Sequence, residues 1–213
     1  MTLPILKNKT ISITKEELGS LPTAHYTQGA IVIDSSEGLE EAVEYLNRAR
    51  IIGFDTETRP SFRKGQSHSV SLLQLASPER CYLFRLKTLG MPTSLKELLE
   101  NPDKVKVGVS IRDDFHSLSK ICDLNPAGFV DLQQYVKLFG IADNSLSRIY
   151  AVLFGERISK GQRLTNWEAE HLTPAQINYA AFDAISCIRI YDYLKAGKFN
   201  PSDSKYIKET EAV

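Results

Sequence analysis

The chain has 213 residues, 42% of them hydrophobic and 24% charged, with 26 Lys and Arg balancing 26 Asp and Glu. That length suits one domain with a substantial core, and the composition excludes a disordered chain. No apolar run approaches the roughly 18 residues needed to span a bilayer, so no membrane partner is expected. Zero net charge provides no basic surplus of the kind usual in nucleic-acid binders, but a zero sum hides any local field and leaves that partner open.

The three cysteines, Cys81, Cys122 and Cys187, are odd in number and widely spaced. They fit a reducing compartment and speak against a zinc cluster. The opening Met1-Thr2-Leu3-Pro4-Ile5-Leu6-Lys7 lacks the charged start and apolar stretch of a secretion signal, so a cytoplasmic location is expected.

In chain order, residues 1–29 are polar and irregular, punctuated by Pro4, Pro22 and Gly29, and read as an arm on the domain surface. Ile31-Val32-Ile33 reads as a short strand. Ser35 or Ser36 is then placed to cap a helix over 37–49, where Leu39, Val43 and Leu46 recur at helical spacing. A buried strand over 51–56 leads into a polar loop from Arg59 to His68. Strands over 70–75 and from Cys81 to Leu86 follow, and their short connections imply antiparallel neighbours.

A short helix over 95–99, a strand over 105–109 and a helix from about 112 to 122 come next. Beyond this point the pattern is helical, over 132–139, over 145–154, and in a long helix opening at Thr173-Pro174-Ala175-Gln176. That opening combines a Thr N-cap, Pro at the first helical position and Gln three residues after the cap. The helix runs to about Lys195, and 197–213 read as a frayed tail. An antiparallel meander followed by a strand–helix unit predicts an α/β architecture, a mixed sheet flanked by helices, with the domain proper over 30–196.

Acids interrupt this apolar pattern in three places. Asp55 and Glu57 follow Ile51-Ile52-Gly53-Phe54 and lie two apart, so on a strand both side chains share a face. A strand end emerging into solvent reads equally well for this pair alone. Asp183 sits in the apolar run Tyr179-Ala180-Ala181-Phe182-Asp183-Ala184-Ile185, with Tyr179 one helical turn before it. A Tyr–Asp hydrogen bond anchoring a core helix is the plainer reading there. Asp113-Asp114 opens a helix, where acids favour the macrodipole in any case. Burying an unpaired carboxylate costs several kcal/mol or neutralises it, so acids in core segments on separate elements suggest a cation as the missing partner.

Taken together, the order Phe54-Asp55-Thr56-Glu57-Thr58, then Val107-Gly108-Val109-Ser110-Ile111-Arg112-Asp113-Asp114, then Asn166-Trp167 and Tyr179-x-x-x-Asp183 resembles three known motifs. They are those of the DEDD superfamily of 3′–5′ exonucleases in its tyrosine-bearing branch. Within it the chain resembles most nearly the ribonuclease D group, and there the exonuclease domain of the Werner-syndrome helicase. The histidine-bearing branch needs His five residues before the last Asp, and Asn178 stands there.

The resemblance implies an RNase H-like fold and hydrolysis of phosphodiester bonds from the free 3′ end of DNA or RNA, releasing 5′-mononucleotides. It implies two divalent cations, Mg²⁺ or Mn²⁺, held by Asp55, Glu57, Asp114 and Asp183. Hard oxygen ligands suit those ions, and two of them balance four carboxylates. On this reading Asp55 bridges both ions, Glu57 and Asp183 complete the nucleophile side, and Asp114 serves the leaving-group side. Glu57 and Tyr179 stand nearest the chemistry, with Tyr179 orienting the attacking water.

Thr58, Arg59, Arg63 and Lys64 after the first motif, and Lys160 and Arg163 before Trp167, are candidate contacts to substrate phosphates, although solvated loops read as well. Trp167 reads as a packing anchor, Gly53 and Gly108 as close-packing strand glycines, and His68, His116 and His171 as surface or satisfied core residues. No protein partner is inferable. The rival to an enzyme is a non-catalytic nucleic-acid-binding scaffold of the same fold. Retaining four repelling acids plus Tyr179 counts against it. A structural cation site is a third reading, distinguished by stabilisation without cleavage.

Overall fold

Residues 8–63 and 65–209 are described by the computed structural model. The first strand, β1 (Lys9–Ile11), leads into α1 (Lys15–Ser20), which opens on a capping box: Thr14 accepts from the Glu17 amide and Glu17 accepts from the Thr14 amide. After β2 (Ile31–Ile33) comes α2 (Leu39–Arg48), which buries Leu39, Ala42, Val43 and Leu46 at helical spacing. Neither Ser35 nor Ser36 caps it. Gly38, at φ 76°, provides the left-handed entry instead, a conformation that costs a glycine little.

The remaining elements are β3 (Ile51–Thr58), β4 (Val70–Ala76), β5 (Cys81–Arg85), α3 (Leu86–Leu89), α4 (Thr93–Glu100), β6 (Val105–Gly108), α5 (Ile111–Leu118) and β7 (Phe129–Asp131). Then α6 (Leu132–Tyr135) tightens into a 3₁₀ turn over Val136–Phe139, and α7 (Leu146–Phe154), α8 (Pro174–Lys195) and β8 (Ile207–Glu209) follow.

Six strands form the main sheet in the order β2-β5-β4-β3-β6-β7. The meander β3-β4-β5 is antiparallel, and β2, β6 and β7 join in parallel, so the mixed sheet expected from the sequence is the one observed. On one face α8 crosses β3, β4, β5 and β6. On the other, α2, α4 and α5 cover Ile52, Phe54, Leu73, Leu75 and Phe84. The alternation along β3 and β4 therefore divides two cores, one per face.

Helix α8 sits unusually low on β3. A Cβ on Gly53 would lie 2.0 Å from the Ala184 carbonyl oxygen, so only glycine allows this approach. Gly108 is similarly closed, its Cβ position 2.7 Å from Ile111 Cγ2 and 2.9 Å from the Phe54 carbonyl.

The described parts of the arm and tail, 8–29 and 197–209, differ from the reading of an irregular arm and a frayed tail, and 1–7 and 210–213 lie outside the described residues. β1 pairs with β8 antiparallel, with Lys9 opposite Glu209, and Ile11 and Ile13 are wholly excluded from solvent. Ile13 is tied in by its amide to Asp143 (2.9 Å) and by its carbonyl to Arg148 (2.7 Å). A three-residue strand carries almost no alternation, and its partner lies at the far end of the chain, so local pattern had nothing to register. The same brevity hid β7. The helix expected to reach 122 stops at Leu118, and 136–139 are 3₁₀ rather than α. No described helix is long and apolar enough to cross a membrane.

Candidate active site

The close approach at Gly53 sets the geometry of the site. Gly53, Asp55 and Glu57 alternate onto one face of β3, and the helix residue next to the Gly53 contact, Asp183, is brought alongside the two acids. Carboxylate oxygens of Asp55, Glu57 and Asp183 lie within 4.8 Å of one another. Glu57 and Asp183 are only 8% and 6% exposed. Between Glu57 and Thr58 the β3–β4 register shifts, leaving Ser71 unpaired on β4, a kink of the kind found where a strand re-aims its side chains.

Asp114 stands apart from that trio. It lies in the first turn of α5, where Asp113 is exposed and Asp114 is half-buried. The Thr56 hydroxyl, between the two β3 acids, donates to Asp114 Oδ1. The turn into α5 is made by Ser110 in the left-handed region, φ 61°, uncommon for a residue with a Cβ. Its hydroxyl accepts from Gln133 Nε2 at 2.6 Å, which supports the strained turn.

Every acid here is pushed toward its neutral form. Burial raises Asp55 well above the ordinary range, and the charges of Asp183, Asp114 and Glu57 add to it. Burial, then Asp183 and Asp114, lift Glu57 to about 9, against the pull of Arg163. Burial takes Asp183 to about 7, although hydrogen bonding from Tyr179 and the Lys160 charge both oppose it. Asp114 rises to about 6, again chiefly by burial, with its Thr56 bond acting the other way. Tyr179 is raised by burial and then by Asp183 and Glu57, so its hydroxyl stays protonated at any physiological pH. Such a cluster holds protons on its own and would release them to a divalent cation. The donor set, all carboxylate oxygens, fits Mg²⁺ or Mn²⁺.

The basic candidates divide. Lys160 and Arg163 are exposed, and each exerts its charge on a site acid, Lys160 on Asp183 and Arg163 on Glu57. Arg59 is instead held by Glu168 at 3.2 Å, and the same Glu168 takes His68 Nδ1 at 3.0 Å. Thr58 is half-buried at the end of β3, Arg63 is exposed on the following loop, and Lys64 lies outside the described residues.

Trp167 is fully buried as expected of a packing anchor, its ring 6.1 Å from that of Tyr179. Gln176 completes the capping box with Thr173 and also donates to Thr165 and to the Asn166 carbonyl, which fixes the 165–168 segment against the start of α8. His68 is satisfied by Glu168, while His116 and His171 are exposed.

Sequence reasoning missed Thr56, Glu168 and the arm. Thr56 sits between two flagged acids, and alternation alone placed it on the opposite face, toward α5. Glu168 carried no signal, because its partners come from a distant loop. A cleft of about 360 Å³ beside Tyr179 and Phe182 is walled in part by His25 and Tyr26 of the arm. A parallel bridge between Thr23 and Arg157 holds that wall in place.

The 3'-5' exonuclease family matches residues 30–197. The chain is 34% identical over 160 residues to exonuclease 3'-5' domain-containing protein 2 of Drosophila melanogaster, covering 73% of this chain and 27% of that protein. It is 34% identical over 155 residues to the bifunctional 3'-5' exonuclease/ATP-dependent helicase WRN of Mus musculus, covering 70% and 11%. This chain thus spans well under half the length of those two relatives. Among solved structures, ribonuclease D of Trypanosoma brucei in complex with RNA U12 superposes with a TM-score of 0.70 at 23% identity, covering 87% of this chain and 66% of that one. The mixed sheet with α8 laid on it is the fold of that ribonuclease, and the matched span shows that the chain belongs to the 3'-5' exonuclease family.

Proposed function

We propose that this chain hydrolyses phosphodiester bonds from the free 3′ end of a nucleic acid and releases 5′-mononucleotides, using two divalent cations, Mg²⁺ or Mn²⁺. The observation that carries the proposal is the convergence of carboxylate oxygens of Asp55, Glu57 and Asp183 within 4.8 Å, Asp55 half-buried and the other two buried, on two elements that the Gly53–Ala184 contact clamps together. These three acids and Asp114 would hold the cations. When bound, two such ions lower the pKa of a water and stabilise the departing 3′ oxygen.

The chain's own residues do the rest. Tyr179, whose hydroxyl burial keeps protonated, acts as a hydrogen-bonding group that orients the attacking water rather than as a base. Lys160 and Arg163 supply positive charge where substrate phosphates would otherwise meet carboxylates of their own sign. Arg59 serves the same end only by exchanging Glu168 for a phosphate, with Thr58 and Arg63 near it in the chain, and Lys64 is included from its place in the sequence alone. Three free cysteines, two of them buried, support a reducing, cytoplasmic location.

Labelled single-stranded DNA, recessed duplex and RNA, each incubated with Mg²⁺, Mn²⁺ or excess EDTA, test this directly. Stepwise shortening from the 3′ end with a divalent ion, and none with EDTA, is expected. Equal cleavage of a circular strand would sink the exonuclease reading, and activity surviving EDTA the metal dependence. Tyr179→Phe removes one hydroxyl and keeps the ring beside Trp167. It should slow turnover about 10- to 1000-fold with Mn²⁺ affinity unchanged. A Phe variant of full rate would return Tyr179 to a purely structural role.

A further inference from the structure

Gln74 lies in the middle of β4, wholly excluded from solvent, and neither its Oε1 nor its Nε2 has a hydrogen-bond partner among the described residues. Leaving a buried polar group unpaired is costly, and native cores contain few such groups, so each one asks for an account. Register supplies it. Gln74 stands directly opposite Asp55 in the antiparallel β3–β4 pair, and such residues project from the same face with Cβ atoms about 4.5–5.5 Å apart. The face is the one beneath α8, shared with Gly53 on β3 and with Leu72 and Ala76 on β4. On its other side Gln74 faces Leu83 of β5, which offers no side-chain polar atom. Of its two cross-strand partners only Asp55 is one an amide can bond.

We propose that Gln74 is a positioning residue of the cation centre, whose side-chain N–H donates to the Asp55 carboxylate when a divalent ion is bound there. The proposal rests on the reading of Asp55 as a cation ligand. The residue type suits the task. An amide donates without adding charge, whereas a lysine would compete with the cation and a glutamate would add to the repulsion. A ligand carboxylate held by a donor from behind presents its free oxygens in one direction, and losing such support typically costs 10- to 100-fold in metal affinity or activity.

Gln74→Met keeps the approximate shape and removes both unpaired polar groups. If Gln74 only filled space, this change would leave metal binding alone and leave the metal-free melting temperature equal or higher. The proposal expects that same melting behaviour together with a Mn²⁺ dissociation constant, measured by titration calorimetry, raised about 10- to 100-fold. An unchanged constant overturns it. A second measurement needs no variant: the Gln74 side-chain amide signals of the ¹⁵N-labelled wild-type protein should shift on saturation with Mg²⁺ and exchange more slowly with solvent. Signals that stay in place overturn the proposal even if the Met variant fails to fold. Cleavage is scored separately. Wild-type protein that binds Mg²⁺ and moves the Gln74 signals but releases no nucleotide removes the exonuclease reading alone, whereas cleavage with an unresponsive Gln74 removes only this proposal.

Discussion

Asp55→Asn is expected to lower the turnover of the metal-loaded protein at least about 100-fold while leaving the fold intact. On the proposed function a carboxylate that holds the cations would contribute several kcal/mol to the transition state, and each factor of ten in rate corresponds to about 1.4 kcal/mol. A variant that kept more than roughly a tenth of the wild-type rate would show that Asp55 is not that ligand.

The same substitution should raise the melting temperature of the metal-free protein, because it takes one charge out of a buried, mutually repelling set. The pH dependence gives the sign. Glu57 ionises near its ordinary 4.5 when unfolded and near 9 when folded, so the metal-free fold is most stable below the unfolded value and loses stability as pH rises toward the folded one. Asp183, at about 7, and Asp114, at about 6, act in the same direction within that window. Calorimetric scans at pH 5 and pH 8.5 without metal should therefore show a falling midpoint in the wild type and a smaller fall in the Asn variant. Mn²⁺ should recover the loss. For a protein of this size each kcal/mol appears as about 2–4 °C.

Asp114→Ala is expected to silence cleavage, and Asp113→Ala to cost only the few tenths of a kcal/mol typical of an exposed first-turn acid. Helical periodicity alone separates the two. On α5 Asp114 falls beside the stripe of Ile111, Phe115 and Leu118, and Asp113 shares a face with Ser117. The structure agrees, with Asp113 exposed and Asp114 half-buried and bonded by Thr56. Because Asp114 lies outside the tight trio, the experiment also asks whether its role is in chemistry or in bracing β3 against α5. A bracing role predicts a lower melting temperature with the rate retained, and a ligand role predicts the reverse. Loss of activity in Asp113→Ala with Asp114→Ala active would contradict the assignment.

What the sequence determined by itself was mostly local or periodic. The meander follows from three apolar runs with short connections, and the start of α8 from Thr173, Pro174 and Gln176, whose side chains and fixed φ act within a few residues. The same-face placement of Asp55 and Glu57 is a matter of strand period, and that of Tyr179 and Asp183 of helix period. Gly53 and Gly108 could be read as close-packing positions because a glycine inside an apolar strand has little other use.

Tertiary structure alone decided what depends on partners remote in sequence. Only the fold shows that the end strands β1 and β8 pair, that Glu168 joins Arg59 to His68, and that the charges of Lys160 and Arg163 reach Asp183 and Glu57. It also separated Asp114 from the three clustered acids and placed Gln74 opposite Asp55. Period and capping act over a few residues and leave a mark on composition. Pairing between distant segments leaves none, because the side chains that meet there are ordinary in their own neighbourhoods and acquire their meaning only when the chain brings them together.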